Sequence, residues 1–208
     1  MSGQEHQSSC CSSPSGGAKK YDLIVIGGGS AGFAAAIQAH ELGKTTLMVN
    51  AGTIGGTCVN VGCVPSKTLI RAAESLHRGH HHFFAGIRGE AALVDFAAVI
   101  RQKDELVSQL RQAKYVDVLK AYDRVELIEG EARLESPRTL RVNGVVCEAS
   151  SILVATGSHP WLPDIPGLAD SGPLDSTSAF ELTNLPESMI VLGGRYIALE
   201  IAQMFARL

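Results

Sequence analysis

The sequence predicts an α/β fold, with a strand–turn–helix unit near its start, short strands in the middle, and the beginning of a second such unit at its end. Three observations carry this. The apolar run Tyr21 to Ile26 ends in Gly27-Gly28-Gly29-Ser30-Ala31-Gly32 and passes into Phe33, Ala34, Ile37 and Leu42 at helical spacing. Short strands follow from Val125, with Asn143-Gly144 as a hairpin turn. A second apolar run, Met189 to Leu192, meets Gly193-Gly194-Arg195-Tyr196 and then Leu199, Ile201, Ala202 and Phe205.

In the first unit Gly27 permits a tight turn, Gly29 lets backbone approach a pyrophosphate, and Gly32 lets the helix pack closely on the strand. The helix N-terminus adds N–H groups and partial positive charge for the phosphates. Gly43 stops the helix, and Thr45 to Val49 forms the next strand. At its end, where an acidic side chain usually takes the ribose, this chain has Asn50, whose amide still hydrogen-bonds a hydroxyl.

The most distinctive stretch is Gly55-Gly56-Thr57-Cys58-Val59-Asn60-Val61-Gly62-Cys63-Val64-Pro65-Ser66-Lys67. On an ideal helix, residues spaced like Cys58 and Cys63 lie roughly 8 to 9 Å apart at Cα, beyond the reach of a disulfide. A bridge therefore needs a distorted turn, which Gly62 and Pro65 favour. The pair reads as a thiol redox site; zinc ligation and two unconnected thiols are the competing readings. Zinc lacks two ligands, because no second Cys or His pair stands at matching spacing.

Leu69, Ile70, Ala73 and Leu76 continue a helix into His77, His80, His81 and His82, which read as a solvated helix end. Asp95 is placed to cap a helix presenting Phe96, Val99, Ile100, Leu106, Val107 and Leu110 on one face. The strands are Val125 to Ile128, Ala132 to Leu134, Leu140 to Val142, and Val145 to Cys147, with Cys147 a core residue. Ser151 to Ala155 is a further buried strand, closing on Thr156-Gly157. Five of the eight prolines fall between Pro160 and Pro186, which predicts an irregular connection without packed elements.

With 45% hydrophobic and 19% charged residues, the 208-residue chain is globular material, and its net charge of -3 offers no basic footprint for nucleic acid or an anionic membrane. No apolar run approaches a membrane span. Residues 1–19 read as a flexible tail without a signal-peptide core, pointing to a cytoplasmic protein; Cys10 and Cys11 within it would take a soft metal or nothing.

Together these residues resemble the flavin-dependent pyridine nucleotide disulfide oxidoreductases over residues 20–208. The stretch Gly52 to Lys67 carries the likeness; Ile70-Arg71-Ala72-Ala73-Glu74 and Leu110 to Asp117 look most like the family's mercuric reductase branch. The resemblance implies a Rossmann-like FAD-binding domain of three-layer β-β-α character with a β-meander over residues 20–159. A Pro-rich connection over 160–186 and the truncated start of an NAD(P)-binding Rossmann domain over 187–208 would follow.

By the same resemblance, Gly27, Gly29, Ser30, Gly32, Asn50, Gly56, Thr57, Ala132, Thr156 and Gly157 line an FAD site. Lys67 lies near the flavin ring, paired with Glu200. Cys63 faces the flavin and Cys58 exchanges with substrate, the two forming a redox-active disulfide. Gly193, Gly194 and Tyr196 belong to the NADPH site, with Tyr196 as its gate. The implied activity passes electrons from NADPH through FAD to Cys58 and Cys63 and on to Hg(II), which both thiols bind transiently, giving Hg(0). A small thiol or disulfide substrate, as in glutathione or dihydrolipoamide reductases, is the alternative; a non-catalytic fragment binding FAD or a thiophilic metal is another. Family members are longer homodimers, so this chain alone is expected to be inactive.

Overall fold

The structure, a computed structural model, describes residues 18–208; Cys10, Cys11 and the rest of the tail to residue 17 lie outside the described residues. β1 (Lys19–Ile26) is central, because both of its edges are paired. On one side it runs parallel to β2 (Thr46–Asn50), with Ile24 opposite Leu47 and Val25 opposite Met48. On the other it runs parallel to β6 (Val145–Val154). β3 (Val125–Glu129) extends the parallel set beyond β2, while β5 (Thr139–Val142) and β4 (Arg133–Ser136) follow β6 antiparallel. The six-stranded order is β3-β2-β1-β6-β5-β4.

β6 differs from the expectation of two separate strands over this stretch. It is one ten-residue strand, entered through the Asn143-Gly144 turn, in which both residues adopt positive φ (49° and 80°) as a tight hairpin turn requires. Because β6 pairs with both β5 and β1, the meander is joined edge-on to the parallel strands. Cys147 is fully buried there with Ile24, Leu47, Leu140 and Val142.

The apolar run of β2 follows from its position: Leu47, Met48 and Val49 are buried because both faces of a parallel sheet are covered. One cover is α1 (Ser30–Glu41), whose Phe33 and Ala36 pack on Met48. Between β2 and β3 the chain forms α2 (Gly56–Asn60), α3 (Cys63–His80) and α4 (Phe96–Arg111), then one π-helical stretch, Gln112–Val116, and α5 (Asp117–Leu119). Asp95 caps α4, its Oδ1 accepting from Ala98 N–H at 3.0 Å. α3 ends at His80 as expected, with the His77 and His81 rings stacked at 4.1 Å. Among the described residues no group of three or more His, Cys, Asp or Glu side chains is placed to hold a metal ion. No described helix is long and apolar enough to cross a membrane.

The last part of the chain departs from expectation twice. Residues 160–186 are not wholly irregular: a 3-10 turn (Ala169–Ser171) is followed by α6 (Ser176–Ala179), closed by a capping box in which Asp175 and Ser178 exchange hydrogen bonds. Ala179 and Phe180 are buried. Conversely, Met189–Leu192 forms no strand. No described strand lies beside it to pair with its N–H and C=O groups, and Ile190 stands 89% exposed. α7 (Tyr196–Arg207) does form, and packs Met204 into a helical core with Leu69, Ala73, Phe96, Ile100 and Phe180.

Candidate active site

The turn after β1 is shaped by what cannot be there. At Gly27 φ is +116°, and a Cβ would sit 2.2 Å from Ala155 O, so only glycine brings the ends of β1 and β6 this close. At Gly32 a Cβ would lie 2.1 Å from Gly27 O, so the first turn of α1 rests directly on the glycine loop. Gly29 faces a second glycine loop. A Cβ on Gly56 would come within 2.7 Å of Gly29 Cα, and Gly55 N–H donates to Gly28 O at 2.8 Å. The two loops therefore meet backbone to backbone, which docks the cysteine-bearing helix α2 onto the turn.

These loops line a cleft of about 720 Å³, within the range of small-molecule sites. Gly27, Gly29, Ser30, Asn50, Gly56, Thr57, Ala132, Thr156 and Gly157 all open onto it, together with Cys58. Gly32 lies beneath its floor. Residues that sequence reasoning did not single out also contribute: Ala51, Gly52 and Thr53 after β2, Gly130 after β3, and Ala155 after β6. Gly130 could have been found, since it directly follows a parallel strand as Gly27 does.

Asn50 is tied into the turn itself. Its Oδ1 accepts from Gly28 N–H at 2.9 Å, and its Nδ2 donates to Gly52 O. One lone pair and one N–H remain for a hydroxyl. A cleft at the carboxyl ends of parallel strands, lined by glycine backbone and the N-terminus of α1, fits a dinucleotide such as FAD.

The helix between the cysteines is interrupted, as bridging requires. α2 ends at Asn60, the chain turns at Val61-Gly62, and Cys63 opens α3 with Pro65 in its first turn, where a missing N–H costs nothing. A Cβ at Gly62 would lie 2.9 Å from Thr57 O, so glycine is required here for space. Cys58 and Cys63 are both exposed free thiols. The neighbouring Cys63 thiol, then partial burial, holds the Cys58 thiol above its ordinary value, while the backbone N–H of Cys63 and the charge of Lys114 oppose the rise. Cys147 is also raised, by burial, and is an inert core thiol.

One turn beyond Cys63, Lys67 Nζ is paired with the Glu200 carboxylate of α7. Gly193, Gly194 and Tyr196 are not drawn to the cleft. Both glycines face open space, and Tyr196 is 72% exposed at the start of α7. A shallower groove between α3 and α4 shares only Lys67 with the predicted site residues and has no glycine cradle.

Residues 21–208 match the family described as pyridine nucleotide-disulphide oxidoreductase. The chain belongs to this family. Within it, the chain is similar to a mercuric reductase of Staphylococcus aureus, 47% identical over 180 residues that make up 86% of this chain and 33% of that protein. A mercuric reductase of Streptomyces lividans is 46% identical over 186 residues, 86% of this chain and 39% of that protein. The chain thus spans about a third of the length of these curated relatives. Among solved structures, the HOCl-induced flavoprotein disulfide reductase RclA from Escherichia coli aligns at a TM-score of 0.76 and 32% identity, covering 90% of this chain and 40% of that one.

Proposed function

We propose that this chain holds FAD in the cleft at the ends of β1, β2 and β6, and carries the Cys58–Cys63 couple of an enzyme that reduces Hg(II) to Hg(0) with electrons from NADPH. The observation that carries the reading is the junction of the two glycine loops: the same backbone contact that builds a pyrophosphate cradle brings Cys58 to its wall. The N-terminus of α1 and the backbone of Gly28 to Ser30 would hold the pyrophosphate, and Asn50 a ribose hydroxyl. When bound, FAD supplies the two-electron relay between nicotinamide and thiols.

The chain's own part is thiol chemistry. Cys58 and Cys63, as two thiols, hold one electron pair and two protons; closing the disulfide releases both, and a reductant restores them. Hg(II) is a soft ion that paired thiolates capture, and it accepts two electrons in becoming Hg(0). Cys58, which lines the cleft, meets the substrate, and Lys67, paired with Glu200, follows Cys63 by one helical turn. Gly193, Gly194 and Tyr196 would contribute to NADPH binding in a longer, homodimeric, cytoplasmic protein. A disulfide-reductase function with a small thiol or disulfide substrate is the second reading, favoured by the likeness to the Escherichia coli flavoprotein disulfide reductase.

The test is NADPH-dependent conversion of Hg(II) to volatile mercury by the full-length protein purified with its flavin. Cys58→Ala and Cys63→Ala should each lower turnover by at least about a hundredfold while retaining FAD. Undiminished turnover in either variant overturns the assignment. Rapid reduction of a small disulfide with none of Hg(II) selects the second reading.

A further inference from the structure

Asn60, the last residue of α2, lies between Cys58 and the break before Cys63, and its amide is committed at both ends. Nδ2 donates to Ile54 O at 2.9 Å, holding the approach to Gly55, and Oδ1 accepts from Arg111 Nη1 at 3.0 Å. Arg111 is the final residue of α4, a helix fixed by its Asp95 cap and by burial of Phe96, Ile100 and Val107. Directly after it comes the π-helical stretch, a geometry that recurs at functional sites. From that stretch Tyr115 packs edge-on against Phe33 at 4.8 Å, and its OH lies 3.2 Å from Ser30 Oγ. The last residue of α4 thus holds α2, and the π-helical stretch after it holds the start of α1.

We infer that Arg111 is a positioning residue for the cysteine couple, fixing through Asn60 the orientation of the helix that carries Cys58. The cysteines sit on separate helices joined only by Val61-Gly62, so local backbone alone does not set their separation, and a disulfide tolerates only a narrow range of geometry. Burial of Val59 and the backbone contact of Gly55 and Gly56 with the first glycine loop seat the start of α2. The two directional hydrogen bonds on Asn60 fix its other end, the one nearest the break before Cys63. The inference rests on the reading of Cys58 and Cys63 as a reversible dithiol–disulfide couple.

Exchange with glutathione tests it without reference to mercury. Two protein thiols and one oxidised glutathione give the protein disulfide and two reduced glutathione molecules, so the electron pair and both protons pass to glutathione. The purified protein is equilibrated at graded glutathione ratios, quenched and alkylated, and the Cys58–Cys63 bridge is quantified by peptide mass spectrometry. Arg111→Met should make the bridge about tenfold easier to reduce, a rise in potential of about 30 mV, with the melting midpoint reporting that the variant is folded. Arg111→Lys, which keeps a donor, should recover most of the shift. Asn60→Leu removes the same tether from the other side, so adding Arg111→Met to it should shift the equilibrium no further. A wild-type midpoint in folded Arg111→Met, or shifts that add in full in the double variant, overturns the inference and leaves the couple standing. A wild-type protein that forms no bridge at any ratio overturns both.

Discussion

At the scale of single residues, Gly32 and Gly157 are glycines for different reasons, which a sequence pattern does not separate. Gly32 is required for space: a Cβ there would meet Gly27 O at 2.1 Å and Val25 Cγ1 at 3.1 Å, and a backbone carbonyl has no rotamer with which to move aside. Gly157 is required only for conformation: its φ is +74°, and a methyl group on its Cα would find no atom within 4 Å. Alanine at the two positions should therefore behave differently. Gly32→Ala should cost about 3 kcal/mol and lose flavin retention on desalting, because α1 must shift away from the loop. Gly157→Ala should cost only about 1 kcal/mol in a urea titration, the left-handed conformational penalty, and leave the fold intact. Equal losses at the two sites would refute the distinction. Gly27 and Gly32 were legible because each spacing has one mechanical role, whereas the packing of Gly29 against Gly56 depends on a second loop far along the chain. The double engagement of Asn50 by Gly28 and Gly52 was not, since it depends on how the loop after β2 folds back.

At the scale of elements, the strand–turn–helix unit, the capped helix α4 and the Asn-Gly hairpin could be read because each is fixed by neighbours close in sequence. The two elements that differ from expectation depend on distant partners. Proline count pointed to an irregular 160–186, yet none of its five prolines lies between residues 174 and 185, where Asp175 starts α6 and Phe180 enters the helical core. Met189–Leu192 has a strand's composition without a strand beside it among the described residues. What anchors the α6 segment is Lys103, only 4% exposed, whose Nζ donates to Phe180 O at 3.0 Å and contacts Asp104 at 2.6 Å. Lys103→Ala removes the stem from the core and leaves a buried carbonyl without its donor, together about 2 to 3 kcal/mol. The loss should appear first as faster proteolytic cleavage between residues 174 and 185. Cleavage that speeds up uniformly along the chain would argue against this local anchoring.

At the scale of the whole molecule, one carboxylate ties three neighbouring strands of the sheet together. Glu126 on β3 accepts from Tyr21 OH at 2.6 Å and Lys19 Nζ at 2.9 Å, both on β1, with β2 lying between those strands in the sheet order. The hydrogen bond from Tyr21, then that from Lys19, holds the Glu126 carboxyl below its ordinary value of 4.5, against a smaller opposing effect of burial. Asp22, Asp95 and Asp175 are depressed in the same direction, each first of all by a backbone N–H. A carboxyl whose folded value is lowered contributes its full stabilisation above its unfolded value and loses it as the pH falls through the folded one. The stability these carboxyls contribute should therefore be level above about pH 4.5 and fall below it, with Glu126 one identifiable part of the slope. Its side chain is 43% exposed, so solvent screening keeps that part under about 1 kcal/mol, or roughly 2 to 3 °C in melting midpoint for a chain of this size. Glu126→Gln should melt lower than wild type at pH 7 and converge with it as the pH falls through the lowered folded value of the Glu126 carboxyl, because the amide keeps an acceptor for Tyr21 but has no charge for protonation to remove. Thermal melts of both proteins across that range measure the convergence, and parallel curves would show that the Tyr21–Glu126–Lys19 tie does not contribute to the acid limb.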